Sequence, residues 1–183
     1  MMQLITGLDT AILQYLLTHR DITTTLTFIN LTELGSTVFV CGIALCAALL
    51  LAYRHTLAPA IGLAVSVLGG GATALLLKEL LHRARPDIAL QAYRETGFSF
   101  PSGHATLAAA GYGFLIYLAC RLIPAGHLRT LTISGLTFVI ILIAFSRLYL
   151  GVHYLSDVIG GLLLGGIFVW IGSLVVKKFE QRI

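Results

Sequence analysis

Apolar residues run in long stretches along this chain, and polar residues collect between them. Four stretches, at roughly 57–77, 103–122, 130–145 and 158–176, are apolar throughout. Each comes near the about 20 residues that a helix needs to cross a bilayer. Upstream, 22–53 holds a helical pattern over about 32 residues. Its first third carries Thr23, Thr24, Thr25, Thr27, Asn30, Thr32 and Glu33, so only 35–53 reads as buried in hydrocarbon, with the polar part projecting from one face. The 7–19 segment is short for a crossing. In it Leu8, Ile12, Tyr15 and Leu16 recur at helical spacing behind an expected Asp9 cap, which suits a helix lying in the interface. The pattern predicts an all-α fold, a polytopic membrane helix bundle of about five transmembrane helices plus an N-terminal interfacial helix.

Composition agrees and narrows the choice. With 57% apolar residues, 11% charged and a mean hydropathy of +0.93, the chain is neither an ordinary soluble domain nor a disordered segment. About five crossings would use roughly 100 residues, which leaves short loops and one working surface and makes 1–183 a single membrane-embedded domain. A net charge of +4, scattered along the sequence, argues against a nucleic-acid partner. The charges sort by topology instead. Arg54, Arg121, Arg129, Lys177, Lys178 and Arg182 share one side with a single acid, Glu180, and the positive-inside rule assigns that side, with the C-terminus, to the cytoplasm. The N-terminus and the 78–102 and 146–157 loops then face outward. Arg20 is the first positive residue, so the basic start of a cleaved signal peptide is not expected.

Two features that suggest chemistry read better as packing. Cys41, Cys46 and Cys120 are odd in number and sit in apolar runs, so they are expected as small hydrophobes rather than as a disulfide or zinc set. The glycine clusters at 69–71 and 160–166 lack the Lys-Ser/Thr of a phosphate loop. Gly62, Ser66 and Gly70, and Gly161 and Gly165, have the spacing of close helix contacts.

The remaining ionisable residues gather in the two outward loops. Lys78, His82 and Arg85 align on one face if their helix continues to the Arg85–Pro86 step, where proline discourages further helix. Pro101-Ser102-Gly103-His104 opens a helix, and the free N–H groups, the Ser102 hydroxyl and the missing side chain at Gly103 allow an anion to approach. Arg147 ends the next long helix. His153 and Asp157 are four residues apart, so on a helix the carboxylate can hold one ring nitrogen and leave the other free. Three cations, helix-start N–H donors, two histidines and an orienting carboxylate suit phosphoryl transfer without a metal. One histidine would attack phosphorus and the other would protonate the departing alkoxide.

Lys78-x6-Arg85-Pro86, Pro101-Ser102-Gly103-His104 and Ser146-Arg147-x5-His153-x3-Asp157 together resemble the three-part signature of the type 2 phosphatidic acid phosphatase superfamily. The resemblance spans 78–157. It implies that His153 is the nucleophile that becomes phosphorylated, that Asp157 holds it and that His104 is the general acid. It implies that Lys78, Arg85, Ser102, Gly103 and Arg147 bind the phosphoryl oxygens, that Ser146 and the prolines shape the site, and that no metal or other cofactor is needed. The partners it implies are a lipid phosphate substrate and membrane lipids, and the location an integral plasma-membrane protein with its site on the extracytoplasmic face. Phosphatidylglycerophosphate, phosphatidic acid and undecaprenyl diphosphate are the candidate substrates. Bacterial members of the family have six crossings, and here the 7–19 segment is expected in place of the first.

Other readings account for less. Vanadium haloperoxidases resemble the same anion-ligand set, but they are typically soluble. A transporter would place ionisable groups near the bilayer midplane, where this chain has no Asp, Glu, Lys or Arg. A non-catalytic lipid-phosphate binder would be expected to lack a histidine or the aspartate. Arg83, Arg94 and Glu95 fall outside the signature and are expected to be solvated or to touch headgroups, with a role at the substrate entrance as the alternative. His82 is expected at the interface, and Glu33 as a boundary acid or a wall of the site. Tyr112, Tyr117, Tyr149 and Tyr154 are expected in packing or the aromatic belt.

Overall fold

A computed structural model describes residues 2–54 and 56–181, with side chains from residue 7 onward. His55, in the connector at 53–56, and Arg182, counted above with the positive rim, lie outside the described residues. Helices account for most of it: α1 (Met2–Thr18), α2 (Ile22–Thr32), α3 (Thr37–Tyr53), α4 (Leu57–Leu81), α5 (Gly103–Leu122), α6 (His127–Tyr149) and α7 (Leu155–Glu180). Four of them, α4 to α7, are long and apolar enough to cross a membrane, and the pair Ile22–Gly35 and Thr37–Tyr53 makes a fifth span if its 43° bend is counted as one crossing. The protein is an integral membrane helix bundle.

The bend between α2 and α3 has a local cause. A 3-10 turn, Glu33–Gly35, ends α2, and the Ser36 hydroxyl accepts a hydrogen bond from the Phe39 N–H at 3.3 Å, starting a new helix. A side chain at Gly35 would meet Ile143 Cγ2 at 2.5 Å.

α5 sits at the centre: 61% of its apolar window is buried against 11% for α6, which marks α5 as the helix the others surround. Its run of small residues lets α7 come close. A Cβ on Gly165 would meet the Thr106 carbonyl oxygen at 2.6 Å, and one on Gly161 the Ser102 carbonyl oxygen at 2.7 Å. The expectation of packing glycines holds, and Ser66 joins by donating to the Ala110 carbonyl at 2.9 Å. Leu63, Val67, Phe114, Ile143 and Val176 fill the core, while Leu75, Phe138, Leu163 and Trp170 stand exposed on the outer surface, as lipid-facing positions do.

Three local expectations are corrected. α4 ends at Leu81 because His82 adopts the left-handed conformation, φ 47°, so Lys78, His82 and Arg85 do not share a helical face. His153 precedes α7 and Asp157 lies in its first turn, so the pair straddles a helix start. Asp9 is not a cap: it lies inside α1 and is buried.

Candidate active site

The signature residues converge at one end of the bundle from four places in the chain. Lys78 projects from the last turn of α4 and donates from Nζ to the Phe98 carbonyl at 2.7 Å. Beyond His82 the chain leaves regular secondary structure, and Arg85 reaches the site without a helix. Its Nη1 donates to the Val152 carbonyl at 3.0 Å and lies 3.3 Å from His153 Nε2. Its Nε donates to the Gly97 carbonyl at 3.0 Å. Ser102 precedes α5 fully buried, and its hydroxyl has no hydrogen-bond partner among the described residues. An unpaired buried hydroxyl costs about 1–3 kcal/mol, and an anion oxygen would satisfy it. Gly103 follows with open space where a Cβ would stand.

The last two cores of the site come from the α6–α7 connection. Arg147 is buried to 0% exposure; its Nη1 donates to Thr32 Oγ1 at 2.9 Å and to the Tyr93 hydroxyl at 2.7 Å, and its Nη2 pairs with Glu95. After α6 the chain turns at Gly151, φ 70°, where a side chain would collide with the Leu90 carbonyl. That turn sets His153 against Asp157, Nδ1 to Oδ2 at 3.4 Å. Asp157 is held in turn: Oδ2 accepts the Tyr154 N–H at 2.9 Å and Oδ1 accepts Arg83 Nη1 at 2.6 Å. The Ser102 N–H donates to the Asp157 carbonyl at 3.0 Å, which joins the start of α5 to the start of α7.

These contacts set the chemistry of the imidazole. With Asp157 at Nδ1 and Arg85 at Nε2, both neighbours favour the tautomer with its proton on Nδ1 and its lone pair on Nε2. Burial, then the charges of Arg147, Arg85 and Lys78, push the His153 pKa well below its ordinary value of 6.5, so the ring stays neutral at neutral pH. His104 feels the same cations, Arg147, Arg85 and Lys78, and the Glu95 carboxylate. Burial works to raise the Glu95 pKa, but Arg147 and then Arg85 outweigh it and hold that carboxyl at about 2. Glu95 thus sits ionised between two of the cations expected to bind phosphoryl oxygens.

The expected site residues Lys78, Arg85, Ser102, Gly103, His104, Arg147, His153 and Asp157 gather here. Ser146 spends its hydroxyl on the Ile143 carbonyl at 2.7 Å within its own helix. His82 stacks edge-on with Phe98, and Glu33 and Arg94 are exposed. Sequence reasoning missed Arg83, Glu95, Asp9, Tyr93 and Tyr154, all of which contact signature residues or their partners. Asp9 carried the clearest signal, an acid inside an apolar helix, which is costly unless paired. Among the described residues, no three His, Cys, Asp or Glu side chains cluster as a metal set.

Lys78 and Gly103 also line the polar end of a cavity of about 270 Å³ that descends past Leu107, Thr37 and Leu75 between α3 and α4. A second cavity of about 160 Å³ shares Cys41, Val67 and Leu68 with the first and continues along the same two helices. Together they form an apolar furrow with Lys78 at its polar end.

Comparison with known proteins gives a consistent picture. The model of the PAP2 superfamily matches residues 59–181. The chain is 38% identical over 111 residues to phosphatidylglycerophosphatase B of Bacillus subtilis, covering 59% of this chain and 51% of that protein. It is 34% identical over 98 residues to an undecaprenyl-diphosphatase of Sulfolobus acidocaldarius, covering 49% and 42%. The chain thus spans about half the length of the curated relatives it matches. The crystal structure of a transmembrane PAP2-type phosphatidylglycerolphosphate phosphatase from Bacillus subtilis superposes with a TM-score of 0.85 at 28% identity, over 98% of this chain and 87% of that one.

Proposed function

This chain belongs to the PAP2 superfamily, and from that premise we propose that it acts as one membrane-embedded lipid-phosphate phosphatase working through a phosphohistidine. The observation that carries the reading is His153: its Nε2 faces the Arg85 guanidinium while Asp157 holds the opposite nitrogen, and an apolar furrow opens at Lys78 and Gly103 of the same set. A soluble phosphate ester would not need the furrow. A lipid phosphate suits both parts, with its headgroup among Lys78, Arg85 and Arg147 and its hydrocarbon between α3 and α4.

The reaction runs in two displacements. The Nε2 lone pair attacks phosphorus, the bond from phosphorus to the lipid oxygen breaks, and that oxygen takes the electron pair and a proton from His104. Negative charge spreads over the equatorial oxygens, where Lys78, Arg85, Arg147, the Ser102 hydroxyl and the N–H groups opening α5 stabilise it. Asp157 keeps the Nδ1 proton in place and offsets the charge gained by the ring. A water that gives its proton to His104 then attacks phosphorus, the P–N bond breaks, and its electrons return to Nε2, releasing inorganic phosphate. Glu95 must give up its place between Arg85 and Arg147 before the headgroup binds.

The relatives named above act on phosphatidylglycerophosphate and undecaprenyl diphosphate by name, and these with phosphatidic acid are the substrates to test. The basic rim supports, by the positive-inside rule, a site on the extracytoplasmic face and a C-terminus in the cytoplasm. Phosphate release from a panel of these lipids, with EDTA present, tests the reading. Wild type is expected to turn over at least one of them and His153→Ala and His104→Ala none; activity lost to EDTA, or kept by His153→Ala, contradicts it. A cysteine placed at 87–100 should react with an impermeant thiol reagent on intact cells, and labelling only after lysis would invert the topology.

A further inference from the structure

We propose that Arg83 and Asp9 form a positioning couple that fixes the Asp157 carboxylate against His153 and makes the N-terminal helix α1 part of the catalytic apparatus. The inference rests on the reading of His153 as the nucleophile. Neither residue belongs to the phosphate-binding set, and Asp9 lies outside the 59–181 span by which the family is recognised.

The geometry is a fork closed at both ends. Arg83 Nη1 donates to Asp157 Oδ1 at 2.6 Å and to Ser156 Oγ at 2.7 Å, and Nη2 donates to Asp9 Oδ2 at 2.8 Å. Asp9 is only 2% exposed. Its Oδ1 accepts the Ser156 N–H at 3.0 Å and its Oδ2 the Ser156 hydroxyl at 2.6 Å, so it also binds an N–H group at the start of α7. The Arg83 guanidinium lies 4.5 Å over the Tyr154 ring, and its backbone carbonyl accepts the Ser99 N–H at 2.8 Å. The arginine is therefore fixed from several sides.

Two buried carboxylates this close would repel each other and lose hydration, and one planar guanidinium between them answers both costs. Its effect on Asp157 is directional. With Oδ1 taken by Arg83 and Oδ2 by the Tyr154 N–H, the carboxylate cannot swing, and Oδ2 stays turned to His153 Nδ1. Lysine cannot span the same three acceptors but can keep the charge, so partial rescue by lysine separates positioning from packing.

The test uses the whole chain in detergent with the lipid phosphate of the panel above that wild type hydrolyses, in mixed micelles, and measures kcat, KM and inhibition by vanadate. Melting temperature is the check on folding. Arg83→Gln should lower kcat by about 10–100-fold while KM and vanadate inhibition stay within about twofold. Arg83→Lys should regain about a third or more of the lost kcat on a logarithmic scale. The near-isosteric Asp9→Asn should cost about 5–10-fold in kcat, and the double variant should be little worse than Arg83→Gln, because the two residues act through one contact. An unchanged kcat in Arg83→Gln, or KM and vanadate inhibition worsening in step with kcat without rescue by lysine, would overturn the proposal. Should Arg83→Gln fail to fold, Asp9→Asn decides by the same split. No phosphate release by wild type, or full release by His153→Ala, would overturn the reading of the site and this inference with it. A dead His153→Ala beside an unaltered Arg83→Gln would overturn this inference alone.

Discussion

Arg121 and Glu180 pair at 2.9 Å at one end of the bundle, with 39% and 41% of their side chains still exposed, while at the other end Arg147 pairs with Glu95 and none of its side chain is exposed. The residue types are the same at the two rims, and their energetics are opposite. The exposed pair keeps its hydration and contributes at most about 1 kcal/mol. The buried one gives up water, at a cost of several kcal/mol per ion, and recovers it only through close partners: Thr32, Tyr93 and Glu95 on the two Nη atoms of Arg147, whose Nε has none among the described residues, and Arg83 and the Tyr154 N–H around Asp157. Charges at a membrane boundary are ordinary, whereas charges buried there in a network mark a site built to hold something charged.

Substitutions at the two rims should therefore diverge. The largest effect is expected at the proposed nucleophile: His153→Ala should lower kcat by about 10⁴-fold, measured as phosphate release, with little change in melting temperature. Next comes one conservative change made at both rims. Arg147→Lys loses a planar fork with three partners and should cost about 100-fold or more in kcat/KM, whereas Arg121→Lys should leave kcat/KM within about twofold and stability within about 1 kcal/mol. A comparable loss at Arg121 would break the comparison.

A pH profile sharpens it further. Attack needs neutral imidazole, and burial with the nearby cations holds the His153 pKa well below 6.5. The nucleophile therefore stays active as pH falls through 6.5 and is lost only below it. After correction for ionisation of the substrate, the acid limb of kcat/KM should lie below pH 6.5 in wild type. In Arg147→Lys the charge that lowers this pKa remains, so the limb should move little, the smallest effect of the series. A limb centred at 6.5 or above in wild type would mean that His153 is not the buried, cation-flanked ring described here.

The helices were legible because hydrocarbon imposes long apolar runs, and the four long spans appear where those runs lie, α4, α6 and α7 running on into the flanking polar residues. Backbone detail was not. Nothing in His82 announces a left-handed residue, yet that one φ ends α4 and turns the chain toward the site at Arg85. The signature residues were legible as a set because each motif carries its own spacing. Their supporting layer was hidden for a physical reason: Arg83, Glu95 and Tyr93 look like any polar residues of a loop, and only the folded chain brings Glu95 onto Arg147 or Arg83 between Asp9 and Asp157. The i, i+4 reading of His153 and Asp157 named the right pair on the wrong local structure, since a helix N-terminus serves as well as a helix face to bring the two together.

The central claim, that the buried rim transfers a phosphoryl group to His153, is met most directly by trapping the intermediate. Protein quenched in alkali during turnover of a lipid phosphate labelled with ³²P should carry label that survives base, is lost in acid, maps to the peptide containing His153 and is absent from His153→Ala. A wild-type enzyme that turns over the lipid with no such label under rapid quench, or the same label in His153→Ala, would contradict the account.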